Sequence, residues 1–105
     1  MTAKEFITKL PERVNQEALE GHITCFHFEI IGDGGGHYTV LVEEGEMRVI
    51  ESLEGAPKCR VTSSDVDFMA VINKELNPLM ALMTGKIKIT NQGEMLKYAK
   101  IFGIM

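Results

Sequence analysis

The sequence contains no tryptophan, only two cysteines and only three prolines among 105 residues. Two cysteines are too few for the disulfide framework that holds together small extracellular domains with poor cores, so the fold has to rest on an apolar core. No apolar run approaches the roughly 18 to 20 residues of a membrane-spanning helix. The first residues also lack the basic and then apolar pattern of a signal peptide. The sequence therefore predicts a cytoplasmic protein.

Positive charge is scarce as well. Eleven basic side chains stand against 15 acidic ones, which gives a formal net charge of -4. A nucleic-acid partner requires a basic face, so we expect none, and contact with an anionic membrane should be transient at most. The hydrophobic fraction of 45% and the charged fraction of 25% are typical of one globular domain, which we assign to residues 1–105.

The signatures of catalysis and of metal binding are missing too. The three histidines lack the spacing of metal ligands, and zinc needs three or four convergent donors. Cys25 and Cys59 are predicted to face opposite sides of a sheet, which prevents a disulfide. Ser64 has no nucleophile elbow around it and is better explained as a helix cap. The glycines 34–36 lead into a strand rather than a phosphate-binding helix. We expect no enzyme activity, cofactor or metal site.

What the sequence does contain is alternation typical of strands. Phe26, Phe28 and Ile30 share one face of a first strand. Pairing Ile30 with Tyr38 would place Phe28 beside Val40, so that the large apolar residues lie on a common face of a hairpin.

Three more strands are predicted downstream. The two-residue turn Glu44–Gly45 would pair Val42 with Met47 in a third strand. Residues 58–62 and 86–90 alternate in the same way. We predict that the first four strands form an antiparallel run.

Helix start signals and apolar spacings of three and four residues predict the covering helices. A Thr-x-x-Glu capping box at residues 2–5 opens the first helix. A second apolar stripe spans residues 65–76 and is stopped by an Asn-Pro pair, after which a short apolar helix spans 78–84 and a last one spans 93–102. The predicted fold class is α+β, with a five-stranded mostly antiparallel sheet covered on one face by four to five helices.

Nearly the whole chain resembles a known family, and its later half carries the main motif. The order of a helix, a small-residue break, the motif Met80-x-x-Met83-x-Gly85-Lys86-Ile87-Lys88-Ile89 and a last amphipathic helix resembles the sterol carrier protein 2 family, and the earlier Phe26-x-Phe28-x-Ile30 strand occurs in the same order. This chain departs from the family at Asn91-Gln92-Gly93-Glu94, where the family usually has a tight Gly-Asp turn. The resemblance implies an SCP2-like fold with a hydrophobic tunnel and no catalytic residues.

The resemblance also implies a function, namely non-enzymatic binding and transfer of fatty acyl chains, phospholipids or sterol-like lipids. The alternative is an accessory module that presents lipid or isoprenoid-quinone intermediates to partner enzymes. Seven methionines suit a pocket that accepts several ligand shapes, although methionine also packs ordinary cores. Periodicity alone does not distinguish a filled core from a lined cavity.

If there is a tunnel, the apolar residues of the later helices are expected to line it and to bind the ligand. Opening would involve the last helix or the Asn77-Pro78 break, and the apolar tail 103–105 is a candidate to cover the mouth. Met83→Asp is expected to abolish lipid binding, because an unpaired carboxylate would lie in an apolar wall. The predicted ligand-binding residues are Phe68, Met69, Ile72, Leu76, Met80, Met83, Met95, Ala99 and Phe102.

Overall fold

The computed structural model describes residues 1–104, and its organising element is one five-stranded sheet. Strand β1 pairs on both edges, and the strand order is β3-β2-β1-β4-β5. Three of the four pairings are antiparallel and that of β1 with β4 is parallel. The strands are β1 (Thr24–Ile31), β2 (Gly36–Glu43), β3 (Glu46–Ile50), β4 (Cys59–Ser64) and β5 (Ile87–Ile89).

The α-helices share one apolar core with the inner face of this sheet. The prediction of an α+β fold with a mostly antiparallel sheet is therefore confirmed. The helices are α1 (Ala3–Thr8), α2 (Leu10–Arg13), α3 (Asp65–Ile72), α4 (Pro78–Met83) and α5 (Gln92–Phe102), and a short 3-10 helix spans Gln16–Leu19.

Side-chain caps set where the helices begin. Thr2 and Glu5 form the predicted capping box of α1. The Ser64 hydroxyl accepts a hydrogen bond from the Asp67 N–H at 3.0 Å, which starts α3. The predicted end of that helix was wrong, because α3 stops at Ile72 rather than continuing to residue 76. Lys74 adopts a left-handed backbone with φ 63, and this turn redirects the chain towards α4.

The hairpin of β1 and β2 forms with a different register from the predicted one. Phe28 pairs with Tyr38 and Phe26 with Val40, whereas Ile30 pairs with Gly36. The predicted register was wrong by two residues, yet every side chain keeps its predicted face, because side chains alternate with a period of two. The pairing of Val42 with Met47 across the next turn is confirmed.

The placement of β4 also differs from the prediction. The expected antiparallel run of four strands is wrong, because β4 runs parallel to β1 at the opposite side of the sheet from β3. The chain from β3 to β4 crosses the outer face of the sheet, where the Thr39 hydroxyl donates to the Ser52 carbonyl at 2.7 Å and accepts from the Glu54 N–H at 2.9 Å. His27 contacts the Glu54 carbonyl at 2.7 Å. This crossing segment buries Thr39 and His27 on an otherwise partly exposed face.

Aromatic side chains fill the space between β1 and the helices. Phe26 contacts Phe102 of α5 edge to face, with ring centroids 5.0 Å apart, and Phe28 contacts Phe68 of α3 at 6.1 Å. Tyr98 is buried on α5. Leu96 is 66% exposed, and the buried stripe of α5 consists of Met95, Tyr98, Ala99 and Phe102, at spacings of three and four residues.

Candidate ligand-binding cavity

A cavity of about 170 Å³ lies between the far edge of the sheet and helices α3, α4 and α5. Its wall is apolar except for one side-chain amide, that of Gln92. A shallow groove adjoins the cavity, because Val71, Pro78 and Ile104 line both spaces. The cavity wall consists of Val61, Phe68, Val71, Ile72, Pro78, Leu79, Leu82, Ile87, Ile89, Gln92, Met95, Leu96, Ala99 and Ile104.

The floor of the cavity comes from the inner face of two paired strands. Val61 of β4 pairs with Ile89 of β5, and Ile87 lies two residues earlier on the same face. The Ser63 hydroxyl donates to the Lys86 carbonyl at 3.1 Å and so joins the start of β5 to β4. This short strand therefore presents two apolar side chains to the cavity.

Helix α4 forms one side of the cavity, and its termini are well defined. The Asn77 side-chain oxygen accepts from the Leu79 N–H at 2.9 Å and from the Met80 N–H at 3.3 Å. Pro78 occupies the first turn, where a missing N–H costs nothing. Gly85 has φ 76, a left-handed conformation that glycine adopts without strain, and it turns the chain into β5. A six-residue helix held in this way remains marginal by itself.

Helix α5 is fixed by the turn that departs from the family pattern. The Asn91 side-chain oxygen accepts from the Glu94 N–H at 3.1 Å, and its amide donates to the Lys58 carbonyl at 3.1 Å. The Glu94 carboxylate accepts from the Thr24 hydroxyl at 2.5 Å, which ties the first turn of α5 to β1. These bonds position Met95 and Ala99 over the cavity.

The polar groups around the cavity are internally satisfied. Within residues 1–104, no buried side-chain nitrogen or oxygen lacks a hydrogen-bond partner. The same residues contain no group of three or more His, Cys, Asp or Glu side chains that could hold a metal ion. Because the wall carries no charged side chain, the chemistry that this site offers is burial of an apolar group.

Four of the nine residues predicted from the sequence line this cavity, namely Phe68, Ile72, Met95 and Ala99. They come from α3 and α5, which face each other across the space. Their contact with a ligand stays a prediction.

The other five lie elsewhere. Met69 lies in a separate groove beside Thr2, and Phe102 packs in the aromatic core. Leu76 lines the adjoining groove, because α3 ends before it. Met80 and Met83 are 51% and 73% exposed, because α4 turns Ala81 and Leu82 inward instead. The expectation that these five line the cavity is corrected accordingly.

Strand residues and leucines that the sequence prediction omitted complete the wall. Ile87 and Ile89 could have been found from the strict alternation of residues 86–90, which already placed them opposite the lysines. Leu79 and Leu82 are three residues apart on α4, and so are Met80 and Met83. The spacing alone therefore could not show which of the two pairs faces the cavity. Ile104 of the apolar tail lines the cavity, whereas Met105 lies outside the described residues.

The fold and the cavity together define a class of protein: a small α+β domain with an apolar cavity between one edge of its sheet and three helices. Residues 3–104 match the SCP-2 sterol transfer family. The chain belongs to this family of lipid-carrier domains, as the resemblance in the sequence predicted. Within residues 1–104, no helix is long and apolar enough to cross a membrane.

Individual relatives agree with this assignment. The chain is 35% identical over 98 residues to human sterol carrier protein 2, a match that covers 90% of this chain and 18% of the human protein. The chain therefore spans less than a fifth of that relative's length.

Solved structures share the fold along nearly the whole chain. The sterol carrier protein domain 2 of Helicoverpa armigera superposes with a TM-score of 0.72 at 25% identity, over 93% of this chain and 80% of that one. Palmitated SCP2L2 from Aedes aegypti superposes with a TM-score of 0.69 at 21% identity, over 97% of this chain and 95% of that one.

Proposed function

We propose that this chain is a non-enzymatic carrier that binds the acyl part of a lipid between the edge of its sheet and helices α3 to α5. The observation that carries the proposal is the cavity wall, which is apolar except for Gln92 and contains no charged side chain. Such a wall recognises hydrocarbon and offers no group to activate a bond.

Partition out of water supplies the binding energy. Each methylene that enters the cavity contributes about 0.8 kcal/mol. A volume of about 170 Å³ is close to that of an engineered apolar cavity that binds benzene and is smaller than most drug-sized ligand pockets. A long acyl chain therefore requires the wall to move outward. Helix α4 is the wall element that is short and exposed enough to do so.

The relatives support a lipid ligand and suggest a probe. Human sterol carrier protein 2 is named as a carrier of sterols. The Aedes aegypti domain, which shares the fold, is palmitated. A saturated fatty acid is the simplest ligand that fits an uncharged apolar wall, so palmitate is the probe that we choose.

The proposal is tested by filling the cavity. Ala99 is buried and lines the wall, so leucine at this position places three more carbon atoms in the space that the ligand needs. We expect Ala99→Leu to weaken palmitate binding at least about tenfold and to leave thermal stability unchanged or slightly higher, as cavity-filling substitutions often do. Titration of the delipidated protein with a fluorescent fatty acid, displaced by palmitate, measures the affinity.

Ala18→Leu is the matched control, because Ala18 is exposed and remote from the cavity wall. It should bind like the wild type. A folded Ala99→Leu variant with wild-type affinity would refute the proposal. A wild-type protein that binds palmitate but moves none between vesicles would instead favour the accessory module that presents its ligand to partner enzymes.

A further inference from the structure

Helix α4 is apolar on its outer side as well as towards the cavity. Met80 and Met83 lie three residues apart on this side, and 51% and 73% of their surfaces are exposed. Leu79 and Leu96 are 64% and 66% exposed and both border the cavity, so the apolar surface continues from α4 to α5. We call Leu79, Met80, Met83 and Leu96 the outer apolar face.

No charged residue interrupts this surface on α4. The nine residues from 77 to 85 are all uncharged. A globular surface seldom leaves several large apolar side chains adjacent and exposed unless they meet a partner.

The charges are distributed unevenly along the chain. Residues 74–104 contain five lysines and two glutamates, a net charge of +3, whereas residues 1–73 contain six basic and 13 acidic side chains, a net charge of -7. The overall charge of -4 therefore hides a basic segment, residues 74–104, that contains α4 and α5.

Exposed lysines stand at both ends of α4. Lys74 shares the groove that Asn77 and Pro78 line, and the Lys86 N–H donates to the Ala81 carbonyl at 2.9 Å directly after the helix. Two acidic residues lie near them, Glu75 next to Lys74 in the chain and Asp67 in the surface groove of Lys86. The other charged residues of the segment are Lys88 on β5 and Lys97, Lys100 and Glu94 on α5, so lysines outnumber acids in residues 74–104.

We propose that the outer apolar face docks on the surface of an anionic lipid bilayer, with Lys74 and Lys86 at its rim. This inference rests on the proposed carrier function. Apolar side chains of an interfacial helix enter the boundary between headgroups and acyl chains, and adjacent lysines are attracted to anionic headgroups. Docking in this orientation places the cavity mouth against the bilayer, so that an acyl chain passes between membrane and cavity without crossing water. The net negative charge of residues 1–73 opposes tight binding to anionic lipid and keeps the contact weak and reversible.

Vesicle sedimentation tests the docking surface directly. The wild-type protein is mixed with vesicles of phosphatidylcholine alone or of phosphatidylcholine with phosphatidylglycerol, and the bound fraction is measured at low and high salt. We expect binding to the anionic vesicles that weakens as salt screens the lysines. Met83→Asp should lower this binding roughly tenfold, because it removes an apolar anchor and adds a charge that the bilayer repels.

The matched control is Val66→Asp. Val66 is also 73% exposed, but it lies at the start of α3 beside Thr2, where a carboxylate suits the helix N-terminus. It should bind vesicles like the wild type. Both variants should take up fatty acid in solution normally, because neither residue lines the cavity. This reverses the expectation drawn from the sequence for Met83→Asp.

Two readouts separate the failure of this inference from that of the carrier function. Equal binding to neutral and anionic vesicles, or equal losses in Met83→Asp and Val66→Asp, would overturn the docking surface while fatty-acid uptake still stands. If the wild-type protein takes up no fatty acid in solution, the carrier function is refuted instead. Wild-type vesicle binding by Met83→Asp would also overturn the inference.

Discussion

The two thiols of the chain illustrate how strongly the environment of one residue decides its chemistry. Cys59 is fully buried and its Sγ donates to the Asn91 carbonyl at 3.4 Å, whereas Cys25 is half-buried on the outer face of the sheet. Burial raises the pKa of both thiols above the ordinary value. Because the thiolate is the reactive form, each thiol has less of that form at a given pH than a solvated cysteine has.

We predict that native protein modified with a disulfide reagent at pH 8 loses one thiol slowly and the second only after unfolding. The slow reaction belongs to Cys25, and its rate should keep rising with pH beyond the ordinary thiol pKa, because the raised pKa delays formation of the thiolate. Cys25→Ser removes the slow phase and leaves the buried thiol, which checks the assignment. Rapid reaction of both thiols in native protein would contradict the buried position of Cys59.

At the scale of elements, α4 combines an apolar inner side, an apolar outer side and a single capping residue. Its contacts with the rest of the molecule run through Ala81 and Leu82, while its methionines face outward. An element with few buried contacts opens locally at low free energy. This property makes α4 the part of the wall that we expect to move when a ligand enters.

Asn77→Ala tests this expectation. Removing the cap leaves the N–H groups of Leu79 and Met80 without their side-chain acceptor. We expect this loss to destabilise α4 by about 1 kcal/mol. We predict that these two amides exchange hydrogen faster and that palmitate enters faster, as measured by hydrogen exchange and stopped-flow fluorescence.

Asn15→Ala is the control, since Asn15 caps the 3-10 helix in the same way but away from the cavity. It should leave the rate of palmitate entry unchanged. If Asn77→Ala accelerates exchange and has no effect on that rate, α4 does not control entry and the last helix becomes the next candidate.

At the scale of the whole molecule, the segment between β3 and β4 decides the order of the strands. It crosses the outer face and allows β4 to pair with β1 instead of extending the antiparallel run. The Thr39 hydroxyl holds this crossing through both of its hydrogen bonds, to Ser52 and to Glu54. The position of β4, and with it the cavity floor, therefore depends on polar contacts on the face opposite the cavity.

Thr39→Val should lower the free energy of unfolding by about 2 kcal/mol, because it leaves the Ser52 carbonyl and the Glu54 N–H without their partner. Chemical denaturation followed by circular dichroism measures the change. Residues 1–105 should unfold in one cooperative transition, as we propose for a single domain.

Thr62→Val is the matched control, because Thr62 lies on β4 and its hydroxyl makes no hydrogen bond within residues 1–104. It should change stability by less than about 0.5 kcal/mol. An equal loss in both variants would show that the crossing segment contributes nothing specific. Two separated transitions would contradict the single domain.

The sequence by itself determined the elements and the faces of the strands. The capping residues Thr2, Ser64 and Asn77 act locally, so their helix starts could be read from a few neighbouring residues. Alternation placed Phe26 and Phe28 on the inner face whatever the register, because a shift of two residues preserves parity. The order of these elements, together with the motif from Met80 to Ile89, was also enough to indicate the family.

Only the tertiary structure decided which apolar residues bound the cavity and which face outward. Leu82 and Met83 are adjacent apolar residues of a helix that is apolar nearly all round, so periodicity does not say which of them faces the cavity, and the angle at which α4 meets the sheet turns Leu82 inward and Met83 outward. That angle follows from the left-handed turn at Lys74 and from the pairing of β5 with β4, contacts between residues distant in the chain. The parallel position of β4 is equally non-local, because alternation within residues 58–62 does not specify a partner strand, and β4 pairs on its two sides with β1 and β5, which are distant in the chain.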